Sequence, residues 1–223
     1  GHNQIMNSQS ISNASPGTLL FPEFETIFVL VKREVETLTD EQLDFTSKHW
    51  QWAHWSIRNQ LSHMSSLIYR WLILRWGPTV FPNGDHGVND VGNIAESKFD
   101  RRLDDDIYWD LNLILKKLCQ GIKLVDKVLS ERNVEFLKSH SISRQATSQW
   151  LLMSQAHQTG ISAVGDPAEG EMTLEATIRH IYFEQITHLY NIHRLKRAQG
   201  LPTVVSIPKV GYWVLDGWDR SEP

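Results

Sequence analysis

Thr173 to Gly200 reads as one long helix that carries His180, Glu184 and His188 at four-residue spacing. Residues four apart stand one above the other on a helix face. An i, i+4 pair there aims a carboxylate oxygen and an imidazole nitrogen at one point, which is how a helix supplies two ligands to a divalent metal. Only two of the three can easily serve one ion, because His180 and His188 are about 12 Å apart along the axis at 1.5 Å per residue. The pair is therefore His180 with Glu184, or Glu184 with His188, and Glu184 belongs to both. A third ligand must come from another element. His63, in Trp55-Ser-Ile-Arg-Asn-Gln-Leu-Ser-His63, is the best candidate. The plain alternative is a solvated ladder of His and Glu that binds nothing, since the three-residue pattern is short.

The elements that must position these residues are mostly helical. Pro22 to Thr37 has apolar residues at Phe24, Ile27, Phe28, Leu30, Val31 and Val35, a helical period. Thr39-Asp-Glu-Gln42 has the form of a capping box opening a short turn of helix. A second long helix is expected from about Ser56 to Trp76, stopped by Gly77-Pro78, and a third from about Asp100 to Leu129. Gly121 inside the third implies a close neighbour, because glycine there costs about 1 kcal/mol relative to alanine. Val134 to His140 and Ser148 to Gln158 read as shorter helices. Gly77 to Ser97 and Ile161 to Glu171 read as loops. The ligand helix ends at Gly200, with Pro202 beyond it. Four principal helices, three of them long, and very little strand predict an all-α, up-and-down four-helix bundle with long loops. The expected division is a flexible segment over 1-20, the bundle over 21-200, and an irregular C-terminal extension packing on it over 201-223.

Several motifs together resemble the DinB/YfiT-like superfamily, four-helix bundles of unusual connectivity. Its second helix carries a Trp-Ser pattern followed by Leu-x-His, matched here by Trp55-Ser56, Leu61 and His63. Its last helix carries Thr-Leu, then three histidines at four-residue spacing, then a glycine stop. Thr173-Leu174, His180, Glu184, His188 and Gly200 match that series, and Thr39-Asp-Glu-Gln-Leu43 resembles the turn before the second helix. The resemblance implies a metal triad of His63, Glu184 and His188. Glu184 stands where many members have His; the mycothiol-dependent maleylpyruvate isomerases are similar to this chain in using two His and one Glu. Such a set suits Zn²⁺, Ni²⁺, Fe²⁺ or Mn²⁺, with Zn²⁺ slightly preferred, and leaves positions open for water and substrate. The relatives imply an enzyme of thiol S-transferase or hydrolase type, with a low-molecular-weight thiol as a further cofactor and a small molecule as substrate. The alternative is a non-catalytic small-molecule-binding or stress-response bundle. The isomerases carry a further C-terminal domain, whereas residues 201-223 are all that follow Gly200 here, so the S-transferase or hydrolase reading is the safer one. Members are often dimers, and a homodimer fits.

No general base stands out; His180 and His86 are the only guesses. His180 reads as a packing residue or as a partner holding Glu184. His49 and His54 read as turn residues against Trp50, Trp52 and Trp55, Asp85-His86 as a surface loop, Asp104-Asp105-Asp106 as a helix start, and Tyr182 and Tyr190 as packing. Lys and Arg number 22 against 26 Asp and Glu, and no basic run exceeds two residues, which argues against a nucleic-acid surface. No apolar stretch reaches the ~20 residues that span a bilayer, and Asn3 to Gly17 lacks the apolar region of a secretory signal. The single Cys119, in an apolar helical run, reads as a buried inert thiol and suits a reducing, cytoplasmic compartment. Gly1-His2 fits a tag remnant and Met6 a native start.

Overall fold

A computed structural model describes residues 10–223; Met6 and the first nine residues of the expected leader lie outside the described residues. Four principal helices dominate: α1 (Ile27–Val35), α2 (Ile57–Tyr69), α3 (Leu111–Glu131) and α4 (Leu174–Ala198). Local sequence sets their ends. Ser56 and Asn59 form a reciprocal capping box at the start of α2, and the Thr173 hydroxyl accepts the Ala176 N–H at the start of α4. Gly200 ends α4 at φ +71°, a conformation that glycine adopts without a Cβ penalty. The Thr39/Gln42 capping box is present, opening the short helix Asp40–Asp44. No helix among the described residues is long and apolar enough to cross a membrane.

The order of the helices differs from simple up-and-down. Gln60 faces His188, Met64 faces Gln185, and Trp76 faces Thr177, so α2 and α4 run in opposite directions. Ser65 bonds to the Ile114 carbonyl and Tyr69 to that of Lys117, so α2 and α3 run in the same direction. The Phe24 ring lies beside Tyr182, and Glu34 bonds to His193 and Lys196, so α1 runs with α4. The long connection between Trp76 and Leu111 makes this possible by returning the chain to the end where α2 began. α2 and α3 approach closely at Gly121, where a Cβ would stand 3.0 Å from Ile68 Cδ1.

Several boundaries and elements depart from the sequence expectation. The third helix begins at Leu111, not near Asp100. The Asp110 side chain caps it by accepting the Leu113 N–H, and Arg101 takes φ +57°, which no helix residue adopts. Asp104-Asp105-Asp106 consequently lies in a turn, with Asp104 Oδ1 accepting the Asp106 N–H. The end of α2 widens into a π-helical turn over Arg70–Arg75, and the expected loop after it contains two short helices, Gly77–Val80 and Val91–Ala95. An unexpected antiparallel pair joins β1 (Ser141–Thr147) to β2 (Ala168–Thr173). Between the strands lies the short helix Gln149–Met153, whose Trp150 ring packs beside His180 of α4. Residues 13–17, assigned from sequence to a flexible leader, are tied down: the Val134 and Glu135 N–H groups donate to Ser15 and Asn13 carbonyls, and the Gly17 N–H donates to that of Arg132. Cys119 is half-buried instead of fully buried.

Candidate metal centre

His63 from the middle of α2 and Glu184 and His188 from the middle of α4 meet where the two helices cross in opposite directions. One ligand atom from each lies within 4.8 Å of the others. Glu184 Oε2 is 3.0 Å from His188 Nε2 and 3.9 Å from His63 Nε2. Two ligands bound at 2.0–2.1 Å to a common ion stand about 3.0 Å apart at 90° and about 3.4 Å apart at the tetrahedral angle. The His188 pair already has that spacing, and the His63 contact must close by about half an ångström.

The hydrogen bonds on the far side of each imidazole set its tautomer. His63 Nδ1 lies 2.6 Å from the Arg101 carbonyl, which can only accept, so Nδ1 carries a proton and, in the neutral ring, Nε2 presents a lone pair. Gln60 Nε2 donates to the Trp52 and Trp55 carbonyls, which fixes the amide and turns Gln60 Oε1 toward His188 Nδ1 at 2.5 Å. His188 therefore also carries its proton on Nδ1 and presents a bare Nε2. With both rings neutral, two lone pairs and a carboxylate oxygen face one another with no proton between them. A third proton, making His188 cationic, is opposed by burial, which lowers its pKa first; His63 adds to that effect and Glu184 counters it. Burial pushes the Glu184 carboxyl up, but the imidazoles of His188, His63 and His180 gathered around it outweigh burial and hold the group well below its ordinary range. An ionised carboxylate beside two neutral imidazoles is the donor set that a divalent ion of Zn²⁺ type satisfies. The partners on the far nitrogens, Arg101 O and Gln60 Oε1, fix the tautomers that binding requires. Gln60→Ala is expected to weaken Zn²⁺ binding about 10–100-fold; a chelator-competition titration giving wild-type affinity would show that the amide does not orient His188.

The cluster opens on a cavity of about 800 Å³. Trp55, Trp71, Trp150, Trp218 and Met153 supply apolar walls, and Arg70 and Arg101 supply positive charge. Each wall has a structural origin. The π-helical turn carries Arg70 and Trp71, the helix between the two strands carries Trp150 and Met153, and the C-terminal tail carries Trp218. His54 and Trp52 also line the cavity, whereas His49 packs edge-on against Trp50 outside it. His86 does not line the cavity, and its Nδ1 accepts the Val88 N–H. Tyr182 packs near Phe24, and Tyr190 on Trp213.

His180 is buried one turn before Glu184. Its Nε2 is 3.7 Å from Glu184 Oε1, and its Nδ1 is 2.6 Å from the Tyr212 hydroxyl. That hydroxyl also lies 2.8 Å from His157 Nε2. Burial keeps both rings neutral, with His180 lowered to about 4 and His157 to about 3, and it raises the Tyr212 phenol well above its usual value. Gln60, Tyr212 and His157 escaped the sequence reading. Gln60 had one usable signal, its place three residues before His63 on the same helix face; the other two had none. No protein family, curated protein or solved structure matches the chain.

Proposed function

We propose that this chain is a divalent-metal-dependent enzyme built on a four-helix bundle of the DinB/YfiT-like type, with His63, Glu184 and His188 as metal ligands. The observation that carries this reading is the convergence of three proton-free acceptors at the wall of an aromatic cavity. The helix directions, departing from simple up-and-down, agree with the unusual connectivity that the resemblance implies. Three protein ligands leave a position for an exogenous one, the usual arrangement of catalytic zinc sites. A divalent ion held by His63, Glu184 and His188 would lower the pKa of a bound thiol or water and so supply a nucleophile at neutral pH. The protein's own part is positional. Gln60 and the Arg101 carbonyl hold the two imidazoles with Nε2 forward. The Trp walls take up the apolar body of a small-molecule substrate and exclude water around it. Arg101, whose guanidinium lies 5.1 Å over Trp55, offers charge at the mouth for an anionic group. Transfer of a thiol sulfur to an electrophilic carbon and hydrolysis both fit this layout.

Elemental analysis of protein purified without a metal-affinity step is expected to show about one equivalent of Zn, Ni, Fe or Mn per chain. A screen of low-molecular-weight thiols with electrophilic acceptors then separates the classes. Metal at one equivalent with turnover supports the S-transferase reading. Metal without turnover on thiol or ester substrates favours a small-molecule-binding bundle. No metal, and no thermal shift with Zn²⁺, Ni²⁺, Fe²⁺ or Mn²⁺, overturns the centre itself.

A further inference from the structure

We infer that Tyr212, carried into the bundle by the C-terminal tail, is a positioning residue for the metal centre: its hydroxyl donates to His180 Nδ1 and so places the His180 proton on Nε2, facing Glu184. The inference rests on the proposed metal site and adds an element that the ligand helices do not contain. Tyr212 is fully buried, with its hydroxyl 2.6 Å from His180 Nδ1 and 2.8 Å from His157 Nε2. A phenol has one proton, so it donates to one imidazole and accepts from the other. Two arrangements are possible, and the two ends of the chain select between them independently.

At the Glu184 end, His180 Nε2 stands 3.7 Å from carboxylate Oε1. A proton on Nε2 makes this contact attractive, whereas a lone pair there makes it repulsive, and no acceptor-only partner on Nδ1 imposes that lone pair as Gln60 does on His188. At the other end, His157 Nδ1 is buried and has no hydrogen-bond partner. An orphaned N–H donor in a protein interior is rarer than an under-used acceptor. If Tyr212 donates to His180, then His157 donates to Tyr212 through Nε2, and its unpartnered Nδ1 is only a lone pair. If the phenol donates to His157, the orphan becomes an N–H and a lone pair faces the Glu184 carboxylate. Both ends therefore favour one direction: His157 Nε2–H to Tyr212, Tyr212 O–H to His180, and His180 Nε2–H toward Glu184 Oε1. Engaging Oε1 leaves Oε2, the oxygen nearer His188 and His63, for the ion.

The tail is built to hold the phenol there. Gly211 takes φ +89°, and a Cβ at that position would stand 2.9 Å from Phe183 Cδ1. Val204 and Val205 N–H groups upstream bond to Glu34, and the Asp219 and Ser221 carbonyls downstream bond to Arg194.

Two measurements test this. Long-range ¹H–¹⁵N spectra of the metal-free wild-type protein are expected to show His180 with Nε2 protonated and Nδ1 as an acceptor. The opposite tautomer overturns the inference without using a variant or a metal. Tyr212→Phe keeps the ring and its packing, and it is expected to mix the His180 tautomers and weaken Zn²⁺ binding about tenfold. His180→Ala is expected to weaken binding to a similar extent, and the double variant by little more than either alone. Wild-type Zn²⁺ affinity in Tyr212→Phe, or a double variant whose losses simply add, overturns the inference while leaving the metal centre standing. Wild-type protein that takes up no Zn²⁺ removes the metal reading, and the positioning role falls with it.

Discussion

His63→Ala, Glu184→Ala and His188→Ala are each expected to weaken Zn²⁺ binding by more than about a hundredfold, beyond the 10–100-fold typical of groups that merely orient a ligand. The reason is coordination number: a three-ligand site that loses one keeps two, too few to outcompete water. The geometry also ranks the histidines of α4. His188 Nε2 is 3.0 Å from Glu184 Oε2 and faces His63, with ring centroids 4.5 Å apart. His180 Nδ1 is committed to Tyr212, and its Nε2 lies on the other carboxylate oxygen. The pair expected to hold an ion on this helix is thus Glu184 with His188, and His180→Ala is expected to cost less than His188→Ala. His49→Ala and His86→Ala should leave affinity unchanged, since neither lines the cavity. Glu184→His is expected to retain binding, because a second imidazole nitrogen replaces the carboxylate oxygen. Chelator-competition titrations across this series read the order directly. Wild-type binding by both Glu184→Ala and His188→Ala would mean that the three acceptors do not hold an ion.

The ligand helix was the most legible part of the chain because its information is local. Thr173 caps it, Gly200 stops it, and the four-residue spacing stacks the candidate ligands; the helix found, Leu174–Ala198, follows from those signals. His63 was legible as a companion for the same reason, sitting two turns into a helix that Ser56 caps. The misplaced start of α3 shows where periodicity misleads. Leu103, Ile107 and Leu111 keep helical spacing through a segment that is not helical, and Ile107 ends largely exposed while Leu103 is buried. Asp110 was the informative residue, as the actual cap. The β1–β2 pair could not be read locally, because Ser141–Thr147 has only Ile142 and Ala146 as apolar residues and its partner contains Glu169, Gly170 and Glu171. Strand pairing of so polar a kind depends on contacts distant in sequence. The same holds for the site's supporting groups. Gln60, the Arg101 carbonyl and Tyr212 matter through partners 128, 38 and 32 residues away. Residue types announce ligands; the groups that fix their tautomers emerge only once the chain is folded.

The tail that delivers Tyr212 is fastened by a buried charge network at Glu34, where the largest effect on stability is expected. Glu34 is fully buried. Oε1 accepts from Lys196 Nζ at 2.7 Å and from the Val204 N–H at 2.9 Å; Oε2 accepts from His193 Nε2 and from the Val205 N–H, both at 2.9 Å. One carboxylate thereby joins α1, α4 and the tail. Glu34→Ala leaves the Lys196 ammonium buried without a counter-charge and two backbone N–H groups without acceptors. Breaking a buried pair in this way costs about 3–5 kcal/mol, read as a lowered urea midpoint. An apolar replacement of the whole set, Glu34→Leu with Lys196→Met and His193→Leu, is expected to be far milder, since it leaves no stranded ion. The pH dependence has a definite sign. Burial alone would raise the Glu34 pKa, but the bonds from His193, Lys196, Val205 and Val204 lower it from 4.5 to about 2. A depressed carboxylate contributes stability that is present in full above its unfolded value and is lost as pH falls through its folded one. Wild-type stability should therefore fall between about pH 4.5 and about pH 2, and Glu34→Gln should lack that component of the fall. A Glu34→Ala loss below about 1 kcal/mol, or an acid limb unchanged in Glu34→Gln, would show that the network is not what holds the tail.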